Sequence, residues 1–376
     1  MNPEELQSKT LDFIRFPISI GVVFIHNSYG GGIISPQNID WAALTGSNLF
    51  DLFRLLSKNL ATIATPYFFL ISGYFYFRRM EVFNRETYIA KTINRIKTVL
   101  VPYIIWNLLA FLIPMITAVV KGDLHSYLMK FADINPLCIF WNYKYYILAA
   151  PNLFGHIIYE AAPLNVPLWF LRDLFIMSML SPLIYLFVKK TKFYGIGLLA
   201  ICYLTSTWTS ITGFRVIAVF FFILGAYLGI NKENLVLVAR KYKLPIILIC
   251  LTTVILDTCF LGDQFQVVFI RPLYRVTGLL SFIILGSYVI ERGWVTLSTS
   301  KRTIAKVSFF IYVSHAVSVL GIMIKAYSRF FHPETPFGKG VIYMCVSVTT
   351  VLICIATYFI LKKLFPKFTN LVTGDR

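Results

Sequence analysis

Charge is what this chain has least of: only 14% of its 376 residues are Asp, Glu, Lys or Arg, against 57% hydrophobic, with a mean hydropathy of +0.72. Soluble globular domains carry roughly a quarter charged residues, so that class is excluded. Acid is scarcer still, 17 Asp and Glu against 35 Lys and Arg, for a net charge of +18. Cysteine is limited to six, at 138, 202, 250, 259, 345 and 354, with no close pairs. That excludes a disulfide framework or a thiolate metal site, and the cysteines read as small apolar residues. Long low-complexity tracts and repeats of 20–50 residues are missing too, which excludes linker-joined modules and solenoids.

What is present is a series of apolar windows of about 20 residues, the length needed to cross a bilayer. They lie near 11–29, 58–77, 98–120, 167–188, 194–210, 214–230, 243–261, 267–290, 303–325 and 340–364. The expectation is an all-α polytopic membrane bundle of about ten transmembrane helices, a single membrane-embedded domain over 1–376. Basic residues cluster in alternate loops: Arg78 to Lys97, Lys189 to Lys192, Lys232 to Lys243, Arg292 to Lys306 and Lys362 to Arg376. With Lys9 and Arg15, 23 of the 35 fall on one side. By the positive-inside rule that side is the cytoplasm, which puts both termini there. Attraction to anionic lipid accounts for the charge, so lipids and not nucleic acid are the expected partners. Asp12 and Arg15 interrupt the first run and argue against a cleaved signal peptide.

Arg15 and His26 both lie in that first run. Eleven helical residues advance roughly 16 Å and turn through nearly whole revolutions, so the two side chains share a face with Asp12 and Ser19. An ionisable group at membrane depth costs about 3 kcal/mol or more and marks a functional site by default. A stripe of this kind faces protein, water or substrate, and it could line a passage across the bilayer. Imidazole titrates near neutral pH, which suits His26 to general-base work. A second histidine closes the run Ser308 to His315, where helical spacing aligns Ser308, Tyr312 and His315. Interhelical hydrogen bonding is the plainer alternative there.

Other features are less specific. Gly73 in Pro66 to Tyr74 permits close backbone approach, and Ser72 is a hydroxyl donor beside it. Trp169 is followed by Arg172 and Asp173, an internally neutralised pair at the start of the fourth span. Arg215 opens the sixth span, where snorkelling is the simple reading. The long 121–166 segment, rich in Tyr, Trp, Asn and Pro, suits an interfacial or re-entrant element over a cavity; an aromatic belt explains it as well.

Taken together these runs resemble the acyltransferase-3 family of membrane O-acyltransferases, which act on cell-envelope glycans. The matching elements are Arg15 and His26 with ten residues between them, the Phe-Phe-x-x-Ser-Gly run at 68–73, and the basic run before Pro102-Tyr103. The Leu-Trp-Phe-Leu run at 168–171 and the Ile-Tyr-x-x-His run ending at His315 complete the set. Two departures stand out: many members carry two arginines three apart after the second span, where this chain has Arg95 and Thr98, and Arg172-Asp173 replaces small or apolar residues.

The resemblance implies transfer of a short acyl group, acetyl first, from cytoplasmic acyl-CoA (acetyl-CoA) to a sugar hydroxyl of a surface glycan or its lipid-linked precursor, in a bacterial plasma membrane. His26 would be the base, with Arg15, Ser72, Tyr312 and His315 supporting it. Arg78, Arg79, Arg85, Lys91, Arg95 and Lys97 would meet the donor phosphates, Arg95 foremost. Trp169, Arg172 and Arg215 would serve the acceptor, and no metal is called for. A flippase for a lipid-linked glycan, or a membrane glycan polymerase or ligase, would also need many spans and buried charge.

Overall fold

A computed structural model of the protein describes residues 1–31, 47–78, 80, 82–147, 159–208, 211–259, 265–295 and 301–375. Helices dominate. Five are long and apolar enough to cross a membrane: Asn48–Arg78, Arg85–Val120, Val268–Glu291, Thr303–Phe330 and Pro336–Leu364. Two bent pairs, Val166–Met179 with Ser181–Leu204 (66°) and Val216–Ile230 with Leu235–Lys241 (103°), raise the count to seven among the described residues. The first helix, Pro3–His26, stands outside that count because Lys9, Asp12 and Arg15 interrupt it. Helix Lys243–Cys259 falls short in described length, at 17 residues.

Local chemistry sets the ends of the first helix. The Asn2 side chain accepts from the Glu5 amide at 2.8 Å, Pro3 follows as a residue suited to the first helical position, and Glu4 and Glu5 complement the N-terminal dipole. At the other end Asn27 caps the helix immediately after His26. Its side-chain amide donates to the Tyr343 carbonyl (3.0 Å) and the Ser347 hydroxyl (2.8 Å), so the end bearing His26 is pinned to the Pro336–Leu364 helix.

The expected basic loop at 78–97 is instead largely helical. The Asn84 side chain caps Arg85–Arg95 by accepting from the Thr87 amide at 2.8 Å, and the helix runs through a π-turn, Ile96–Leu100, into Val101–Val120. The second span likewise begins earlier than residue 58, as Ser47–Ala61 leads into Ala64–Arg78. Within Ser181–Leu204 the helix is broken at Lys192 (φ 51°, ψ −133°), beside the lysines expected to separate two spans.

The core joins the first helix, Ala64–Arg78, Val216–Ile230, Lys301–Ser314 and Pro336–Leu364, with Tyr67, Phe69, Phe222, Phe310 and Tyr343 among its buried aromatics. Its closest contact is between Ala64–Arg78 and Val216–Ile230. A Cβ added at Gly73 would strike the Phe222 carbonyl, and one at Gly225 the Leu70 carbonyl. Two backbones meet there without side chains between them, the small-residue packing that membranes favour because hydrocarbon offers helices no hydrophobic drive to associate.

The 121–166 segment holds two short helices, Leu124–Met129 and Pro136–Trp141, and an antiparallel ribbon pairing Lys144–Ile147 with Tyr159–Ala162. Cys138, Cys202, Cys250, Cys345 and Cys354 are free thiols.

Candidate active site

A cavity of about 870 Å³ lies between five helices and Asp375 near the C-terminus. The first helix contributes Ser8, Asp12 and Arg15; Ala64–Arg78 contributes Phe68, Ile71, Ser72 and Phe75; the Arg85–Val120 helix contributes Asn94, Arg95 and Thr98. Ala305, Ser308, Phe309 and Tyr312 form a fourth wall, with Phe170, Leu174 and Asp375 completing it. The cavity reaches the surface at Asn94 and Asp375, both exposed. Four residues singled out from the sequence, Arg15, Ser72, Arg95 and Tyr312, are therefore brought together from four separate helices.

The two cavity arginines are lightly held. Arg15 lies 3.5 Å from Asp12 and 5.6 Å from the centre of the Phe75 ring, and its Nε is buried without a partner. Arg95 meets the Tyr76 ring at 5.4 Å. Ser308 is buried, and its hydroxyl likewise has no partner. Tyr312 donates its hydroxyl proton to the Pro167 carbonyl. Lys306 stands beside this wall, 3.0 Å from the Asn370 side-chain oxygen and 3.8 Å from Asp375.

His26 and His315 do not line the cavity but face each other beyond it, ring centres 5.3 Å apart. Ala305, Ser308, Phe309 and Tyr312 follow helical i, i+3, i+4 and i+7 spacing, and His315 is the next residue on that face. His315 is fully buried, with Nδ1 3.0 Å from the Ile311 carbonyl and Nε2 buried without a partner. The helix breaks immediately after it, at Val317 (φ −83°, ψ 75°) and Ser318 (φ 72°, ψ −31°). Irregular backbone at membrane depth is tolerated where protein or a cavity shelters it. Lys58, on Ser47–Ala61, lies close enough to act electrostatically on His26.

The polar stripe of the first helix is not continuous. Ser19 is fully buried and returns its hydroxyl to the Phe16 carbonyl at 2.8 Å, so it offers no free polar group between Arg15 and His26.

Trp169, Arg172 and Arg215 gather elsewhere. Arg172 binds Asp173 (2.9 Å), the Ala161 carbonyl (3.2 Å) and the Trp141 carbonyl. Arg215 binds Glu160 (2.9 Å) and the Ala161 carbonyl (2.7 Å), and its guanidinium lies 4.0 Å from the centre of the Trp169 ring. Arg215 is only 4% exposed, so it anchors the ribbon and does not snorkel. The basic residues after the second span also disperse. Arg78 pairs with Glu4 (2.6 Å), Lys91 donates to the Tyr76 carbonyl, Arg85 and Lys97 are exposed, and Arg79 lies outside the described residues. Sequence reasoning missed Ser8, one turn before Asp12 on the first helix, Asn94 on Arg85–Arg95, and Asp375, which follows the C-terminal helix Pro366–Thr373. Among the described residues no group of three or more His, Cys, Asp or Glu is assembled that could hold a metal.

The family model described as "Acyltransferase domain", of the acyltransferase-3 type, matches residues 8–359 and so spans both histidines and nearly all of the cavity wall. The chain belongs to the acyltransferase-3 family. Among this member's relatives is the succinoglycan biosynthesis protein ExoH of Rhizobium meliloti, 25% identical over 98% of this chain and 92% of that one. Another is a probable poly-beta-1,6-N-acetyl-D-glucosamine export protein of Staphylococcus epidermidis, also 25% identical, over 94% of this chain and 92% of the relative. The protein of that name in Staphylococcus aureus is 25% identical over 82% of both chains. No solved structure matches the chain. The family supports an acyltransferase, and the several apolar helices make this member a multi-pass membrane protein.

Proposed function

We propose that the chain transfers a short acyl group, acetyl in the first instance, from cytoplasmic acyl-CoA to a sugar hydroxyl of a surface glycan or its lipid-linked precursor. In this reading the chain is one membrane-embedded domain of about ten spans in a bacterial plasma membrane, with both termini cytoplasmic. The observation that carries it is the His26–His315 pair set beyond a cavity that holds two lightly partnered arginines. Acyl transfer needs a base for the hydroxyl proton, positive charge or hydrogen-bond donors for the oxyanion, and a berth for an anionic donor. His26 is the base. Arg15 and Ser72 support charge and orientation, and Tyr312 shapes the wall. Arg95 holds a donor phosphate at the mouth, while Arg78, Arg79, Lys91 and Lys97 draw the anionic donor and lipid to that surface. Trp169, Arg172 and Arg215 serve the acceptor by holding the 159–162 strand in place. The names of the relatives, tied to polysaccharide biosynthesis and export, support a glycan acceptor.

The test is purified full-length protein in lipid nanodiscs with acetyl-CoA, with release of free CoA thiol as the readout. His26→Ala is expected to lower turnover about 100- to 10,000-fold, the range for losing a general base, while binding of CoA is retained. Turnover equal to wild type in that variant removes His26 from the chemistry. The broken helix at Val317–Ser318 and the export relatives favour a second reading, movement of a glycan across the bilayer. It predicts glycan translocation with no thiol release and no dependence on His26.

A further inference from the structure

A second histidine beside the base has no task in a single-base transfer, yet its environment gives it one definite capacity. The Ile311 carbonyl can only accept a hydrogen bond, so the 3.0 Å contact fixes the hydrogen of His315 on Nδ1. Its Nε2 then carries a lone pair. That nitrogen is buried, bonds to nothing, and belongs to the ring 5.3 Å from the ring of His26. A buried nitrogen without a partner is a cost that folding ordinarily removes, so one beside a second imidazole calls for an explanation. The broken backbone at Val317 and Ser318 interrupts the Thr303–Phe330 helix two residues beyond His315, and the turns before it, at Ser308 and Tyr312, line the cavity proposed for the thioester. His315 thus lies one helical turn beyond Tyr312 of the cavity wall, with its ring beside that of the base.

We infer that His315 is the second member of a proton relay, its Nε2 receiving the proton that His26 takes from the attacking hydroxyl and delivering it to the departing CoA sulfur. This rests on the acyl-transfer reading above. His26 removes the hydroxyl proton as the oxygen attacks the thioester carbon, and a C–O bond forms. The C–S bond breaks, and sulfur leaves with the electron pair. The proton passes from His26 to His315 Nε2 while Nδ1–H stays on Ile311, and then to the thiolate. Ester and free thiol are the products, both imidazoles return to neutral, and no further reactant is consumed.

The experiment uses the full-length protein in nanodiscs with acetyl-CoA, water as acceptor and free thiol as the readout. His315→Gln, which keeps a donor for Ile311, is expected to lower kcat about 100-fold with KM for acetyl-CoA within about two-fold. The double variant His26→Ala with His315→Gln is expected to be no slower than His26→Ala alone, because residues acting in one relay do not contribute independently. In wild type, kcat measured across H2O–D2O mixtures is expected to curve downward, as two protons in flight require; this measurement is independent of any variant's folding. A kcat for His315→Gln near wild type, losses that multiply in the double variant, or a straight-line isotope plot overturns the relay while leaving acyl transfer standing. Wild-type protein that releases no thiol removes acyl transfer and the relay together.

Discussion

Two pairs of arginines, Arg172 with Arg215 and Arg15 with Arg95, are treated in opposite ways, the first pair buried and the second half-buried. Arg172 and Arg215 are richly partnered: Asp173, Glu160 and the Trp141 and Ala161 carbonyls accept from every nitrogen of Arg172 and from both terminal nitrogens of Arg215, and aromatic rings cover them. Arg15 and Arg95 meet an aspartate at the edge of salt-bridge distance and two ring faces. A guanidinium carries five donors, and a fold that needs it for architecture satisfies most of them. One that leaves them open beside a cavity keeps binding capacity for an anion. What separates the pairs, besides the deeper burial of the first, is whether the protein has already answered their charge.

The comparison is broken most forcefully at Arg172. Arg172→Ala leaves Asp173, fully buried, without its nearest cation, and is expected to destabilise the protein by about 3–5 kcal/mol. Thermal unfolding followed by tryptophan fluorescence in detergent checks this. The double variant Arg172→Ala with Asp173→Ala is expected to be less destabilised than the single, and equal stability of wild type and Arg172→Ala would show that the cluster holds nothing. Arg95→Ala sharpens the other side. A hydrogen bond to a charged group is worth about 1.5–3 kcal/mol, so KM for acetyl-CoA is expected to rise roughly ten- to a hundred-fold. Unfolding temperature and kcat should stay close to wild type, and a drop in stability matching that of Arg172→Ala would put Arg95 in the architectural class. Lys97→Ala is the smallest effect. The side chain is exposed and away from the cavity wall, so steady-state kinetics should differ from wild type by less than about two-fold at physiological salt, where surface charges are screened.

The same contrast shows what a reader of the sequence could and could not see. Arg15 and His26 stood out because hydrocarbon makes ionisable groups expensive wherever they occur, and that argument needs no coordinates. Arg95 could be ranked above its neighbours through the family resemblance, and the cavity includes it while excluding Arg78, Lys91 and Lys97. The role of Arg215 was invisible, because its partner Glu160 is 55 residues away on a ribbon that forms only when the chain folds back. The burial of Ser19 was equally hidden, since helical periodicity assigns a side chain to a face but not to the neighbour that covers it.

Composition and residue spacing by themselves determined that this is a membrane-embedded helical protein with an arginine and a histidine on one face of its first helix. Both follow from local physics: the length of an apolar run and the pitch of a helix. Only the tertiary structure decided that Arg15 joins Arg95, Ser72 and Tyr312 around a cavity while His26 joins His315 beyond it. Which side chains meet depends on how close packing and glycine-mediated backbone contact set the helices against one another, and no single stretch of sequence contains that information.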